Sequence, residues 1–217
     1  MIYKAIIFDL DGTLIDTISD IRFYINSVLK RHSFPEVSLN DTYSLVGGGL
    51  RDAMKTALAG AEKNEKNIDL YEKELIEEYF KHPIIDTHPY KEIDVILEKI
   101  KEKKIKTAIF SNKAHSITEK IVNTLFGREM FDIVRGSMEG VPKKPNPAGA
   151  LMIAEKLGFS PKEIIYIGDS DTDCITANRG GFKFIAALWG YRTKKEIANA
   201  GADLFISKPM ELLDFLE

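Results

Sequence analysis

At 217 residues, with 44% hydrophobic and 29% charged residues, the chain has the size and composition of one or two soluble globular domains. Its 30 Lys and Arg against 33 Asp and Glu leave a net charge of −3, no support for a general nucleic-acid or membrane-surface binder. One cysteine, Cys174, excludes an internal disulfide framework, and no apolar run approaches the ~20 residues of a membrane span. With no signal-peptide pattern ahead of the first acids, a cytoplasmic location is expected.

Ala5 to Phe8 form a short apolar run of the kind buried on both faces of a sheet, and it stops at Asp9, Asp11, Gly12 and Thr13. Ile18, Ile21, Tyr24, Ile25, Val28 and Leu29 then recur at helical spacing. That helix is expected to start near Asp16 or Thr17 and to end before Pro35. Ser38 to Asp41 reads as a turn. A glycine loop, Gly47 to Gly49, precedes Arg51 and a short helix from Asp52 to Ala59. Lys63 to Asn67 reads as a polar connection, and Ile68 to Phe80 as an amphipathic helix. Residues 15–82 are therefore expected to be helical, without a strand.

After a connection at His88, Pro89 and Tyr90, the texture alternates. A helix is expected over Ile93 to Ile100, a buried strand over Lys106 to Phe110, and a helix over Ile117 to Leu125. Asp132 to Arg135 reads as a short strand, Pro142 to Pro147 as a braced loop, and Ala150 to Leu157 as a helix. Glu163 to Ile167 is a third buried strand. Phe182 to Ala187 and Leu204 to Ile206 are late strands around a helix at Lys194 to Ala200. Strands alternating with helices predict an α/β fold, a doubly wound parallel sheet. The expected division is a core of residues 1–14 and 83–217 and a helical cap of residues 15–82.

Three of these strands end in polar residues: Asp9 and Asp11; Ser111, Asn112 and Lys113; Asp169, Ser170 and Asp173. A parallel topology brings such ends to one rim, where ligands bind in open α/β sheets. Acids at buried strand ends are costly unless a cation or a reaction needs them. The spacing of Asp9 and Asp11 puts both on one face of an extended segment. A calcium loop is excluded, because its sixth position needs Gly and Leu14 stands there. Lys144, or Lys143 beside it, brings a cation. Acids, lysines and a hydroxyl suit Mg²⁺-assisted phosphoryl transfer. A carboxylate at 4 Å from a phosphate dianion is repelled by about 8 kcal/mol at an effective dielectric of 20, which a divalent metal and a lysine reverse.

The segments DLDGT (Asp9–Thr13), SNK (Ser111–Lys113), KP (Lys144–Pro145) and GDSDTD (Gly168–Asp173), in that order, resemble the four motifs of the haloacid dehalogenase-like hydrolase superfamily. WGY at Trp189–Tyr191 and GAD at Gly201–Asp203 resemble its phosphoglycolate phosphatase-like branch, so the likeness spans nearly the whole chain. The resemblance implies Asp9 as nucleophile and Asp11 as general acid, then base. It implies Thr13, Ser111 and Asn112 as phosphate or turn contacts and Lys144 as the charge-balancing cation. Asp9, the Asp11 carbonyl and Asp169 would bind Mg²⁺, with Asp173 behind them. Lys113 is a possible substrate contact. The Gly47–Gly49 loop, with Gly48 at its centre, would be the specificity loop, and Arg51 an anion contact. Asp11 speaks against dehalogenation, whose enzymes in this superfamily lack that acid. Asp171 reads as a solvated cap, His115 as structural, Cys174 as core, Trp189 and Tyr191 as packing near the rim.

The activity expected is hydrolysis of a small phosphorylated metabolite, phosphoglycolate-like, through an aspartyl-phosphate. A sugar-phosphate mutase, a pyrophosphatase or a non-catalytic phospho-ligand binder are the alternatives on the same fold.

Overall fold

The computed structural model describes residues 3–58 and 63–216. The expected end of the second helix at Ala59, and the expected core boundaries at residues 1 and 217, lie outside the described residues.

Six parallel strands form one sheet in the order β5-β4-β1-β6-β7-β8. They are β1 (Ala5–Phe8), β4 (Lys106–Ala114), β5 (Ile133–Ser137), β6 (Ile164–Gly168), β7 (Lys183–Ala187) and β8 (Phe205–Ile206). β1 sits between β4 and β6, with Ala5 opposite both Lys106 and Ile164. The chain order reverses at β1, so a crevice opens beyond its carboxyl end. The α/β doubly wound architecture is the one expected from the alternating elements.

Period-two alternation along β1 builds two cores. Ile6 and Phe8 join the core under α5 (Ile93–Glu102) and α6 (His115–Leu125). Ala5 and Ile7 join the opposite core under α7 (Ala148–Leu157), α8 (Asp171–Gly180) and α9 (Lys194–Asn199). Ile6 and Ile7 are both fully buried. Truncating either to Ala would cost about 2–5 kcal/mol.

Between β1 and α5 lies a helical insertion of α1 (Ile18–Arg31), α2 (Leu39–Leu45), α3 (Leu50–Ala57) and α4 (Glu65–Lys81). Its apolar faces meet through Tyr24 and Tyr79, which stack at 4.5 Å, and through Leu29, Met54, Ile68 and Leu75. Three expectations are corrected here. Ser38 to Asp41 is the start of α2, not a turn: the Ser38 hydroxyl accepts the Asp41 N–H and caps the helix. Part of the expected 63–67 connection is helical, because Asn64 caps α4. The stretch at residue 15 is not wholly helical, since β2 (Ile15–Asp16) pairs antiparallel with β3 (His88–Pro89).

That small ribbon joins the two strands of chain leading into and out of the insertion. Asp20 in α1 fastens them together. Its carboxylate, 1% exposed, accepts the N–H groups of Ile85, Asp86 and Thr87 at 2.9, 2.9 and 3.2 Å and the Thr87 hydroxyl at 2.6 Å. No helix among the described residues is long and apolar enough to cross a membrane.

Candidate active site

The carboxyl ends of β1, β4 and β6 meet at a cleft roofed by the helical insertion. Asp9 and Asp11 come from the end of β1. Ser111, Asn112 and Lys113 come from β4, which continues irregularly to Ala114 instead of stopping at Phe110. Asp169 follows β6. Lys144 arrives from the proline-braced loop.

Around Asp9 the charges are unbalanced. Asp9, Asp169 and Asp173 each bring a carboxylate oxygen within 4.8 Å of the others, and all three are buried. The single ammonium among them is Lys144, whose Nζ lies 2.7 Å from both Asp9 Oδ1 and Asp173 Oδ1. The Asp173 contact is a hydrogen bond. At Asp9 the Lys144 ammonium is, among the described residues, the one group facing Oδ1, as an ion pair. Three carboxylates against one ammonium leave an excess of two negative charges.

That excess shows in the proton affinities. Burial, then the charge of Asp173, hold the Asp9 carboxyl well above the usual range, although Lys144 opposes both. Burial and Asp173 push Asp169 up to about 7, against the hydrogen bonds from Tyr191 and Thr13. For Lys144, burial disfavours the charge, but Asp173 and Asp9 outweigh it and raise its pKa. Three clustered buried carboxylates, all-oxygen donors and an excess of two negative charges fit a hard divalent cation.

Neighbouring groups fix these acids. Asp169 Oδ1 accepts the Thr13 hydroxyl at 3.2 Å and Oδ2 accepts the Tyr191 N–H at 2.7 Å. Asp173 Oδ2 accepts the Ser170 hydroxyl, and Tyr166 donates to its Oδ1 at 3.2 Å. Gly12 must be glycine: its φ is +84° and a Cβ there would sit 2.4 Å from Asp169 Oδ2. Gly190 is as tightly placed, with Asp169 Cβ and the Gly12 carbonyl at 2.3 Å from any Cβ.

Asp11 belongs to a second, balanced pair. Lys113 Nζ donates to its Oδ1 at 2.8 Å, and the Thr17 hydroxyl donates to the same oxygen at 2.7 Å. Thr17 stands at the start of α1, yet its hydroxyl is diverted to Asp11 and Asp16 accepts the Ile18 N–H instead. The Lys113 ammonium also lies 4.7 Å from the centre of the Tyr79 ring of α4.

Ser111 and Asn112 line the cleft. The Asn112 side chain brackets the Lys144 backbone, accepting its N–H at 2.9 Å and donating to its carbonyl at 3.1 Å. The same amide donates to the Gly47 carbonyl at 2.9 Å. The cavity, about 50 Å³, is closed from above by Ile21, Val46, Gly47, Gly49, Leu50 and Ala53.

Two expected contacts are placed elsewhere. Arg51 does not line the cleft: its guanidinium is held by Asp69, by Glu65 at 2.6 Å and by Glu72 at 3.0 Å, all on α4. Gly48 is likewise turned away, toward Asp52, while Gly47 and Gly49 face the cavity. Lys144, not Lys143, reaches the acids. Asp171 is exposed, Cys174 is buried, and His115 accepts the Gly136 N–H. Tyr191 and Trp189 do more than pack. Tyr191 holds Asp169 and donates or accepts at Thr17, and Trp189 donates to the Thr13 carbonyl at 2.9 Å. Sequence reasoning missed Arg192, which lines the cleft one residue after the WGY segment.

The model of the haloacid dehalogenase-like hydrolase family matches residues 6–187. A phosphoglycolate phosphatase of Aquifex aeolicus is 32% identical over 214 residues, covering 99% of this chain and 97% of that one. An N-acetylmuramic acid 6-phosphate phosphatase of Pseudomonas aeruginosa is 28% identical, covering 99% and 95%. A haloacid dehalogenase-like hydrolase of Streptococcus pneumoniae shares the fold with a TM-score of 0.86 at 22% identity, over 99% of each chain. By matched length, kinship and architecture, the chain belongs to the haloacid dehalogenase-like hydrolases, in their phosphoglycolate phosphatase-like branch.

Proposed function

We propose that this phosphatase hydrolyses a small phosphorylated metabolite, phosphoglycolate-like, in a Mg²⁺-dependent reaction through a phosphoryl group carried on Asp9. The observation that carries the reading is the buried cluster of Asp9, Asp169 and Asp173 around one ammonium. Residues 15–82 act as the cap over a core of residues 1–14 and 83–217, in a reducing, cytoplasmic setting.

In this reading an Asp9 carboxylate oxygen attacks phosphorus while the bond to the leaving oxygen breaks. Asp11, entering the cycle in its protonated form, gives that oxygen its proton, then takes one back from the water that attacks the same phosphorus and frees Asp9. Lys144 opposes the burial that disfavours an ionised Asp9 beside a dianionic phosphate. Ser111 and the amides near it hold the phosphate oxygens, and Lys113 keeps Asp11 within the cleft. Mg²⁺, held by Asp9, Asp169 and the Asp11 carbonyl with Asp173 behind, would offset the charge between nucleophile and phosphate. Val46, Leu50 and Ala53 exclude bulk water above the reacting groups.

Phosphoglycolate is the first substrate to offer, from the Aquifex relative; the Pseudomonas relative makes N-acetylmuramic acid 6-phosphate the second. The test is Asp9→Asn with p-nitrophenyl phosphate and Mg²⁺. Loss of turnover by about 10³-fold or more is expected of a missing nucleophile, and retained turnover would end the reading.

A further inference from the structure

Arg192 lies in the segment between β7 and α9, on the core, and reaches across to the insertion. Its guanidinium donates from Nη1 to the Tyr43 carbonyl at 2.6 Å and from Nη2 to the Val46 carbonyl at 2.7 Å. Both acceptors sit at the C-terminal end of α2, where carbonyls lack intrahelical partners and a cation is favoured. Asn112 adds a third bond from the core, to the Gly47 carbonyl at 2.9 Å. Three donors of the core thus grip the carbonyls of residues 43, 46 and 47 in the segment that roofs the cavity.

We propose that Arg192 is a positioning residue: it latches the 43–49 segment onto the core, so that closure of the cleft is coupled to the placement of the catalytic acids. The proposal rests on the cap reading above. The coupling is local. Tyr191, next in the chain, holds Asp169 through its N–H and touches Thr17, which holds Asp11. The Tyr191 ring meets the Tyr43 ring at 5.7 Å, beside the carbonyl that Arg192 grips. Asn112 grips the roof with the same amide that brackets Lys144.

The latch is also releasable. Arg192 is only half-buried. A guanidinium and helix-end carbonyls are both well solvated when parted, unlike the buried Asp20 bonds that fasten the linkers. The planar fork spans two carbonyls at once, which a lysine does not.

The test is hydrogen exchange of the full chain, with Mg²⁺ and inorganic phosphate, in wild type, Arg192→Ala and Arg192→Lys. In Arg192→Ala, exchange in residues 43–57 is expected to rise about tenfold, with the β1 and β6 amides unchanged. Arg192→Lys falls between. With phosphoglycolate, kcat/KM of Arg192→Ala is expected to drop about tenfold or more. p-Nitrophenyl phosphate is measured alongside as a second ester. Unchanged exchange in the 43–57 segment overturns the proposal, as does a rise spread over the whole chain. Segment-selective exchange in a protein that hydrolyses neither ester supports the latch while overturning the phosphatase reading, so the two failures are distinct.

Discussion

Replacing Asp169 with Asn should stabilise the metal-free protein and destroy its response to metal. Asp169 is held up to about 7 from an ordinary 3.8, by burial and by Asp173. A carboxyl with a raised pKa binds its proton more tightly folded than unfolded. Its contribution to stability is therefore full below about pH 4 and lost as the pH rises through about 7, so against an uncharged residue the ionised group costs that whole amount above pH 7. Roughly 3 pH units at about 1.4 kcal/mol each make that penalty about 4 kcal/mol at pH 8. Asn removes it but accepts only one of the two bonds from Thr13 and Tyr191, a loss of about 1 kcal/mol. The net gain of about 3 kcal/mol corresponds to a Tm rise of about 6–12 °C for a chain of this length. Calorimetry at pH 8 with a chelator measures it. Adding Mg²⁺ at about 100 times its Kd should raise wild type by about 2.7 kcal/mol and leave Asp169→Asn unmoved. Because the bound form is deprotonated, wild-type Mg²⁺ affinity should fall about tenfold per pH unit below 7. A chelated Asp169→Asn protein less stable than wild type at pH 8 would refute the charge-strain account.

Two further outcomes follow from groups outside the catalytic cluster. Asp20→Ala leaves the N–H groups of residues 85–87 without their acceptor, of which only Thr87 is buried, and denaturant unfolding should show a loss of about 1–3 kcal/mol. Arg51→Ala should leave kcat and KM within about twofold, because its guanidinium is spent on α4; partly exposed pairs of this kind are worth up to about 1 kcal/mol each, which a Tm measurement would register.

The strands and their polar ends were legible because both signals are local. A run such as Ala5 to Phe8 has one stable environment, and acids placed straight after it need a reason. α2 was not legible: Leu39 to Leu45 is seven residues with little apolar repeat, and its Ser38 cap is also a turn residue. β2 and β3 are two residues each, too short to carry a period. Arg51 shows a different limit. The family resemblance implies an anion contact for it, but partners 14, 18 and 21 residues further on decide where its side chain goes. Tyr191 escaped because it holds Asp169 through its backbone N–H, which any residue but proline offers. Arg192 escaped because its acceptors are carbonyls 146 and 149 residues away.

The most direct measurement is a rapid acid quench of a single turnover with labelled phosphate ester and Mg²⁺, followed by mapping of the labelled peptide. The account predicts a transient, hydroxylamine-sensitive phosphoryl group on Asp9, absent from Asp9→Asn and absent when the metal is chelated. Phosphate release with no labelled protein at any quench time, or label on another residue, would contradict it.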